Sequence, residues 1–213
     1  SKSYLFKNKK HRSDGPAYIE YNKDGNNILF EKYFIKDKKH RLNGPAHIEY
    51  NENGMLLCKE YFIKNSQHRS DGPACFYYNK NGSLSFEIYF IRNKKHRLNG
   101  PAYIGYYENG DIDWEYYYEN DKRHRLDGPA YISYYENGNI KCVNYYKHGK
   151  IHRSDDPACI GYYPSGKIHW EMYMKNNKLH KIDGPAVIEY CENCKIICAD
   201  YWLYGKRCST NSQ

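Results

Sequence analysis

HRSDGPA at residues 11–17 recurs as HRLNGPA at 40–46, HRSDGPA at 68–74, HRLNGPA at 96–102, HRLDGPA at 124–130, HRSDDPA at 152–158 and HKIDGPA at 180–186. The interval is 29 residues once and 28 five times. A fixed period of this size marks a repeat array, in which each unit stacks on its neighbours and none buries a core alone. The chain therefore reads as one repeat domain, 1–213: a partial unit over 1–10, seven repeats over 11–207 and a polar tail over 208–213. The fold class this implies is all-β, an elongated antiparallel β-hairpin array of the meander or solenoid kind.

With the His as position one, positions seven, nine and eleven read Ala17, Ile19, Tyr21; Ala46, Ile48, Tyr50; Ala102, Ile104, Tyr106. Such alternation is a strand with one buried face. Positions thirteen to fifteen then read KDG, ENG, KNG, ENG, ENG, PSG and ENC. Two loops fit, a two-residue Asn-Gly turn or a three-residue loop closed by a left-handed Gly and its bulge. Pro164 suits the first central position of the type I turn in the longer loop. That register also puts the apolar position seventeen (Ile28, Leu56, Leu84, Ile112, Ile140, Ile168, Ile196) and position nineteen (Phe30, Cys58, Phe86, Trp114, Cys142, Trp170, Cys198) on the face of nine and eleven. The returning strand reaches a Tyr in every copy, Tyr33 to Tyr201, out of parity with nineteen, so a bulge or bend is expected between them. The longer connection that follows reads as an ordered loop that starts the next hairpin.

A catalytic constellation normally occurs once per chain, whereas here each notable polar residue occurs six or seven times. No enzyme, no cofactor and a binding or scaffolding role are expected. The repeated basic pair is His11-Arg12, His40-Arg41, His68-Arg69, His96-Arg97, His124-Arg125, His152-Arg153 and His180-Lys181, with Asp or Asn two residues further on. At about 4.8 Å per strand, one pair would stand every ~10 Å along an edge and could grip an anionic partner. The competing reading is architectural: Asp or Asn caps the Gly-Pro turn, Arg braces it and His packs on a neighbouring Tyr. Positions twenty-seven through five sum to +11 in a chain of net +8, leaving -3 elsewhere, including Glu52, Glu108, Glu136 and Glu192 at the hairpin tips. Basic strips attract nucleic acid or anionic lipid, and the 26 Tyr offer stacking or protein-contact surface.

Cys58 and Cys142 at position nineteen are each followed, 17 residues on, by Cys75 and Cys159 at position eight. This spacing predicts contact across the junction between units, as packed thiols or as a bridge. Cys191, Cys194, Cys198 and Cys208 in the last unit offer an alternative structural zinc site, since a CxxC around a turn resembles a zinc knuckle.

The stretch YYKHGKIHRSDDPACIGYYPSG and its six relatives resemble a lengthened MORN repeat, a β-hairpin unit running roughly YxGxWxxGxxHGxGxxxxxxG. The Tyr-aromatic pair, the turn, the His and the second Gly turn arrive in the same order. The units differ by about five extra residues, by RxDGPA in place of a Gly-rich step, and by less Gly. HRxDGPA arrays are also similar to repeat proteins of large DNA viruses and phages. The resemblance implies an antiparallel meander and a role in protein scaffolding or phospholipid contact, with a viral structural or host-interacting protein as one setting.

No apolar run approaches 18 residues and nothing resembles a secretory signal, so an intracellular, cytoplasmic protein is expected, neither secreted nor transmembrane. Tyr4-Leu5-Phe6 stand where later units carry Tyr33-Phe34-Ile35, and Cys208 stands where an eighth His would. The chain thus reads as a cut array, and its broken end units expose sheet edges suited to end-to-end self-association. A protein partner is the first expectation, with anionic lipid or nucleic acid as the alternative.

Overall fold

The computed structural model describes residues 1–208; the tail residues 209–213 lie outside the described residues. It is all-β, with 31 strands, antiparallel pairing in every hairpin and no helix among the described residues. Among the described residues no helix is long and apolar enough to cross a membrane. The chain divides into two compact units, residues 1–97 with 102–110, and residues 98–101 with 111–213. In the first, the ladder runs Lys2–Ser3, Tyr18–Tyr21, Ile28–Lys32, His47–Tyr50, Leu56–Glu60, Cys75–Tyr78, Leu84–Ile88, Tyr103–Tyr106. In the second it runs Ile112–Tyr116, Tyr131–Tyr134, Ile140–Asn144, Cys159–Tyr162, Ile168–Met172, Val187–Tyr190, Ile196–Asp200.

Each repeat holds a main hairpin, and its loop is the three-residue kind in the repeats after the first; in the first, the Asn22 N–H donates to the Asn27 carbonyl across four residues, which accounts for the 29-residue interval. In the second repeat the Asn51 N–H donates to the Met55 carbonyl and the Gly54 N–H to the Asn51 carbonyl, both at 2.9 Å. The Asn51 side chain accepts from the N–H groups of Asn53 and Met55. Gly54 has φ 80°, the left-handed conformation that such a loop requires. In the seventh repeat Cys194 holds that position at φ 60°. An L side chain there costs on the order of 1 kcal/mol, so Cys194→Gly should raise stability by about that amount in urea denaturation.

The pairing corrects one expectation. Tyr50 stands opposite Leu56 as the loop demands, but the register then shifts and Glu49 faces Cys58, Ile48 faces Lys59 and His47 faces Glu60. The same shift recurs in five other hairpins. Position seventeen keeps the face of nine and eleven. Position nineteen does not: the extra residue at eighteen turns it onto the face of eight and ten. A bulge does change the parity, but it lies before nineteen rather than between nineteen and the Tyr as expected.

A second correction concerns the long connection, which is itself a hairpin. Phe62–Ile63 pairs with Ser66–Gln67 across Lys64 and Asn65, at φ 51° and 69°. Two central residues at positive φ form the type I′ pattern, which favours Asn, Asp or Gly. Seven further mini-hairpins follow the same plan, with Asn8, Asp37, Asn93, Asp121, Gly149, Asn177 or Gly205 at the second central position.

These turns join successive repeats. The Asn65 N–H donates to the Lys39 carbonyl at 2.9 Å, and the Asn65 side chain accepts from the Lys39 N–H at 2.6 Å. Asp37, Asn93 and Asn177 make the same two bonds to Lys10, Gln67 and Ile151. Gly149 and Gly205 make the backbone bond to Arg123 and Leu179.

The core is thin and threaded by the Ala at position seven. Ala17, Ala46, Ala74, Ala102, Ala130, Ala158 and Ala186 are all fully buried. The N–H of Ala74 donates to Ile88 and its carbonyl accepts from Tyr61, both at 2.8 Å, so the residue is held by backbone on both sides. On the adjoining face Glu60 is buried with its carboxylate satisfied by His47 Nδ1 (2.8 Å), Tyr77 Oη (2.9 Å) and Gln67 Nε2 (3.3 Å). The hydrogen bond from His47, ahead of burial, holds the Glu60 carboxyl below the usual carboxylate range. A depressed acid contributes stability above its unfolded pKa and loses it as pH falls through the lower folded value. Glu60→Gln should therefore reduce the acid sensitivity of the urea midpoint between about pH 5 and 3. An unchanged pH slope would contradict the assignment.

Candidate functional site

The HRxDGPA loop links the mini-hairpin of one repeat to the outgoing strand of the next. Its backbone is pinned at both ends of the basic pair: the His40 N–H donates to the Tyr33 carbonyl and the Arg41 N–H to the Phe62 carbonyl, each at 3.1 Å. The guanidinium then folds back over the Tyr that closes the preceding returning strand. Arg12, Arg41, Arg69, Arg97, Arg125 and Arg153 lie 4.0 to 4.3 Å from the ring centres of Tyr4, Tyr33, Tyr61, Tyr89, Tyr117 and Tyr145. Lys181 places its Nζ 3.6 Å from the Tyr173 centroid. Such contacts contribute roughly 0.5–2 kcal/mol each.

The motif glycine closes the other side. A Cβ on Gly15, Gly44, Gly72 or Gly128 would sit only 2.9 to 3.2 Å from the guanidinium carbon of the Arg three residues earlier. Space therefore favours Gly at these positions, and the sixth copy alone has none. There Asp156 replaces it and its carboxylate takes Arg153 Nη2 at 2.7 Å. Elsewhere Arg12, Arg69 and Arg125 bond Asp14, Asp71 and Asp127 through Nε at 2.9 to 3.0 Å. Each arginine hydrogen bond holds its aspartate below the usual range. Arg41, Arg69 and Arg153 also donate to the carbonyls of Pro45, Pro73 and Pro157.

The histidines face inward as well. His11, His40, His124 and His180 accept at Nδ1 from the N–H groups of Lys36, Lys64, His148 and Tyr204, at 3.3 to 3.4 Å. Acceptance at Nδ1 places the proton of the neutral ring on Nε2. The Nδ1 atoms of His68, His96 and His152 are buried with no such bond. The fourteen residues read from the sequence as an anion-gripping ladder thus stand two to a loop; the seven cations lie against the tyrosines before them, and four of the seven histidines accept a backbone hydrogen bond. The histidine packs on a neighbouring tyrosine at His180, whose ring stacks on Tyr204 with centres 4.0 Å apart, whereas the tyrosine that closes each returning strand is taken by the arginine, because the mini-hairpin folds Tyr33 back beside Arg41.

The exposed basic charge lies next door. The eight mini-hairpins, from Leu5–Phe6 with Lys9–Lys10 to Trp202–Leu203 with Lys206–Arg207, carry net +15, so the rest of the chain sums to -7. Lys9, Lys38 and Lys94 in the first unit, and Lys122, Lys150, Lys178 and Lys206 in the second, are all exposed. No protein-family model matches the chain, and no curated protein matches it.

Between consecutive loops the surface opens into grooves. One of 680 Å³ lies between Arg12–Pro16 and His40–Asn43, over Tyr33 and Ile35. The next, 590 Å³, lies between Arg41–Gly44 and His68–Asp71, over Tyr61 and Ile63. They share Arg41, Leu42 and Asn43 as a dividing wall. In the second unit a groove between the loops at 152–155 and 180–183 has Tyr173 and Lys175 in its lining. At the loop crests Leu42, Leu98, Leu126 and Ile182 are 75 to 90 % exposed. Sequence reading missed these residues. The signal was there: an aliphatic residue between Arg and a turn-forming Asn or Asp has no core to face.

The eight cysteines are free thiols. Cys75 faces Glu60 and Tyr77 faces Cys58, so Cys58 and Cys75 are diagonal neighbours on one face of adjacent strands. Cys159 and Cys142 are placed likewise, opposite Asn144 and Gly161. Burial pushes the Cys58 and Cys159 thiols up to about 12, which makes them packing groups. The zinc alternative is not supported: among the described residues no group of three or more His, Cys, Asp or Glu is arranged for a metal. Cys191 and Cys194 flank a hairpin tip, whereas the Cys208 N–H bonds the Tyr201 carbonyl at the opposite end of the strand Ile196–Asp200.

Proposed function

We propose that the protein is a non-enzymatic repeat scaffold, built of lengthened MORN-like hairpins, that binds a protein partner along the row of loop grooves. The observation that carries this reading is the pair of adjacent grooves of matching composition, divided by Leu42 at 76 % exposure. Arg and Tyr are residue types that concentrate binding energy at interfaces, and Leu42 adds exposed apolar surface between them. A reaction centre would need one unit distinguished by a nucleophile, a base and an orienting group, whereas the stacking of the basic residue on the tyrosine before it recurs from unit to unit.

A second reading has its own observation, the net +15 of the mini-hairpins. Exposed lysines at regular intervals favour nucleic acid or anionic lipid through counterion release and surface potential. Affinity capture on the whole chain from its native cellular extract, at low and moderate salt, separates the two. The scaffold reading expects one defined protein that survives moderate salt and is lost with Leu42→Asp and Leu126→Asp. RNA, DNA or anionic lipid released by salt and by Lys122→Glu with Lys150→Glu would transfer the function to the mini-hairpins.

A further inference from the structure

We propose that the two grooves of the first unit take an extended polypeptide in the polyproline II conformation, apolar at every third residue and acidic between. This rests on the scaffold reading and names the class of its partner. The first argument is spacing. The grooves are one repeat apart, and a repeat adds two strands to the ladder, so their centres recur every ~9.6 Å. A polyproline II helix has three residues per turn at ~3.1 Å each and returns a side chain to the same face every ~9.3 Å. An added β-strand does so every ~6.8 Å and falls out of step at the first groove. An α-helix needs seven residues, ~10.5 Å, and its diameter of ~10–12 Å equals the full distance between loops, so it cannot enter.

The second argument is the lining. Each floor pairs a Tyr with an Ile, Tyr33 with Ile35 and Tyr61 with Ile63, and Leu42 stands between them. An aromatic-lined groove is the surface that polyproline II ligands use. The third argument is charge. Ile35 stands opposite Lys38 in its mini-hairpin, so both share a face, and Lys36, Lys38 and Lys64 are exposed beside the grooves. Residues between the apolar anchors would meet these cations, which selects acidic side chains.

The test is fluorescence anisotropy of labelled twelve-residue peptides against the full chain. One peptide repeats Leu-Pro-Glu four times and the other repeats Leu-Pro-Glu-Glu three times, and an acidic heptad peptide of helical design is the third probe. The Leu before each Pro is biased to the extended conformation. Saturable binding of the three-residue repeat, at least tenfold weaker binding of the other two, and a tenfold loss with the exposed Leu42→Asp are expected. Glu52→Gln, at the hairpin tip on the opposite edge, should leave binding unchanged. Equal binding of both periods, tighter binding of the helical peptide, or indifference to Leu42→Asp would overturn the proposal. If no peptide binds while affinity capture still yields a Leu42-dependent protein, the ligand class fails and the scaffold reading stands. Binding of oligouridine or phosphatidylserine vesicles alone would remove both.

Discussion

Gly161→Ala is expected to destabilise the protein by about 3 kcal/mol, at the upper end of the usual range for overpacking. A Cβ at this position would lie 2.2 Å from Cε2 and 2.3 Å from Nε1 of Trp170, well inside any tolerated contact. Gly161 stands between Cys142 and Trp170 in the ladder, and the indole covers its backbone. The indole must leave for any side chain to enter. The chain carries its own remedy: at the equivalent pair of the fifth repeat, Ser133 faces Cys142. Gly161→Ser should therefore be nearly as damaging as the alanine, while Gly161→Ser with Trp170→Cys should recover most of the loss. A urea-denaturation cycle over the four proteins measures the coupling, expected at 1 kcal/mol or more. Simple additivity of the two single effects would show that the two side chains do not compete for one space.

Ala74→Leu is the second large effect, expected to cost about 3 kcal/mol. Ala74 is fully enclosed and packs with Cys75 and Phe90, flanked by Tyr61, Tyr77 and Ile88. Its backbone bonds to Ile88 and Tyr61 fix it in place, so the chain cannot step aside to admit three more carbons. Because each repeat is coupled to its neighbours, the damage should spread to the junctions on either side. Hydrogen exchange should show faster amide exchange at Tyr61 and Ile88 in the variant, with little change near Ile188. A loss under about 0.5 kcal/mol would mean that the site collapses or expands freely, contrary to its geometry.

The parts of the fold that were legible in the sequence are those fixed by local rules. Alternation from Ala46 to Tyr50 and the Glu52-Asn53-Gly54 loop specify a strand and a three-residue turn without reference to anything distant. The face of Cys58 was not legible, because the residue that shifts the register has no common character: Leu29, Leu57, Ser85, Lys141, His169 and Ile197 stand at that point. A bulge is a backbone event, and a side chain between two strands need not betray it. The mini-hairpin was readable from the Asn, Asp or Gly at its second turn residue, and missing it had a consequence for the site. With the connection taken as a loop, Tyr33 and Arg41 are two ends of an open segment. With it folded, they stack, and the arginine ladder becomes masonry while the lysines beside it carry the exposed charge.

The paired bonds from Asn65 to Lys39, and their counterparts at Asp37, Asn93 and Asn177, place each half of a repeat-to-repeat joint inside the segment that is repeated. Copying any 28 residues therefore copies a donor, an acceptor and the turn that aims them, so a duplicated segment arrives able to join both of its neighbours. An inheritance of this kind lets array length drift by whole units through recombination, with no compensating substitution needed at any seam.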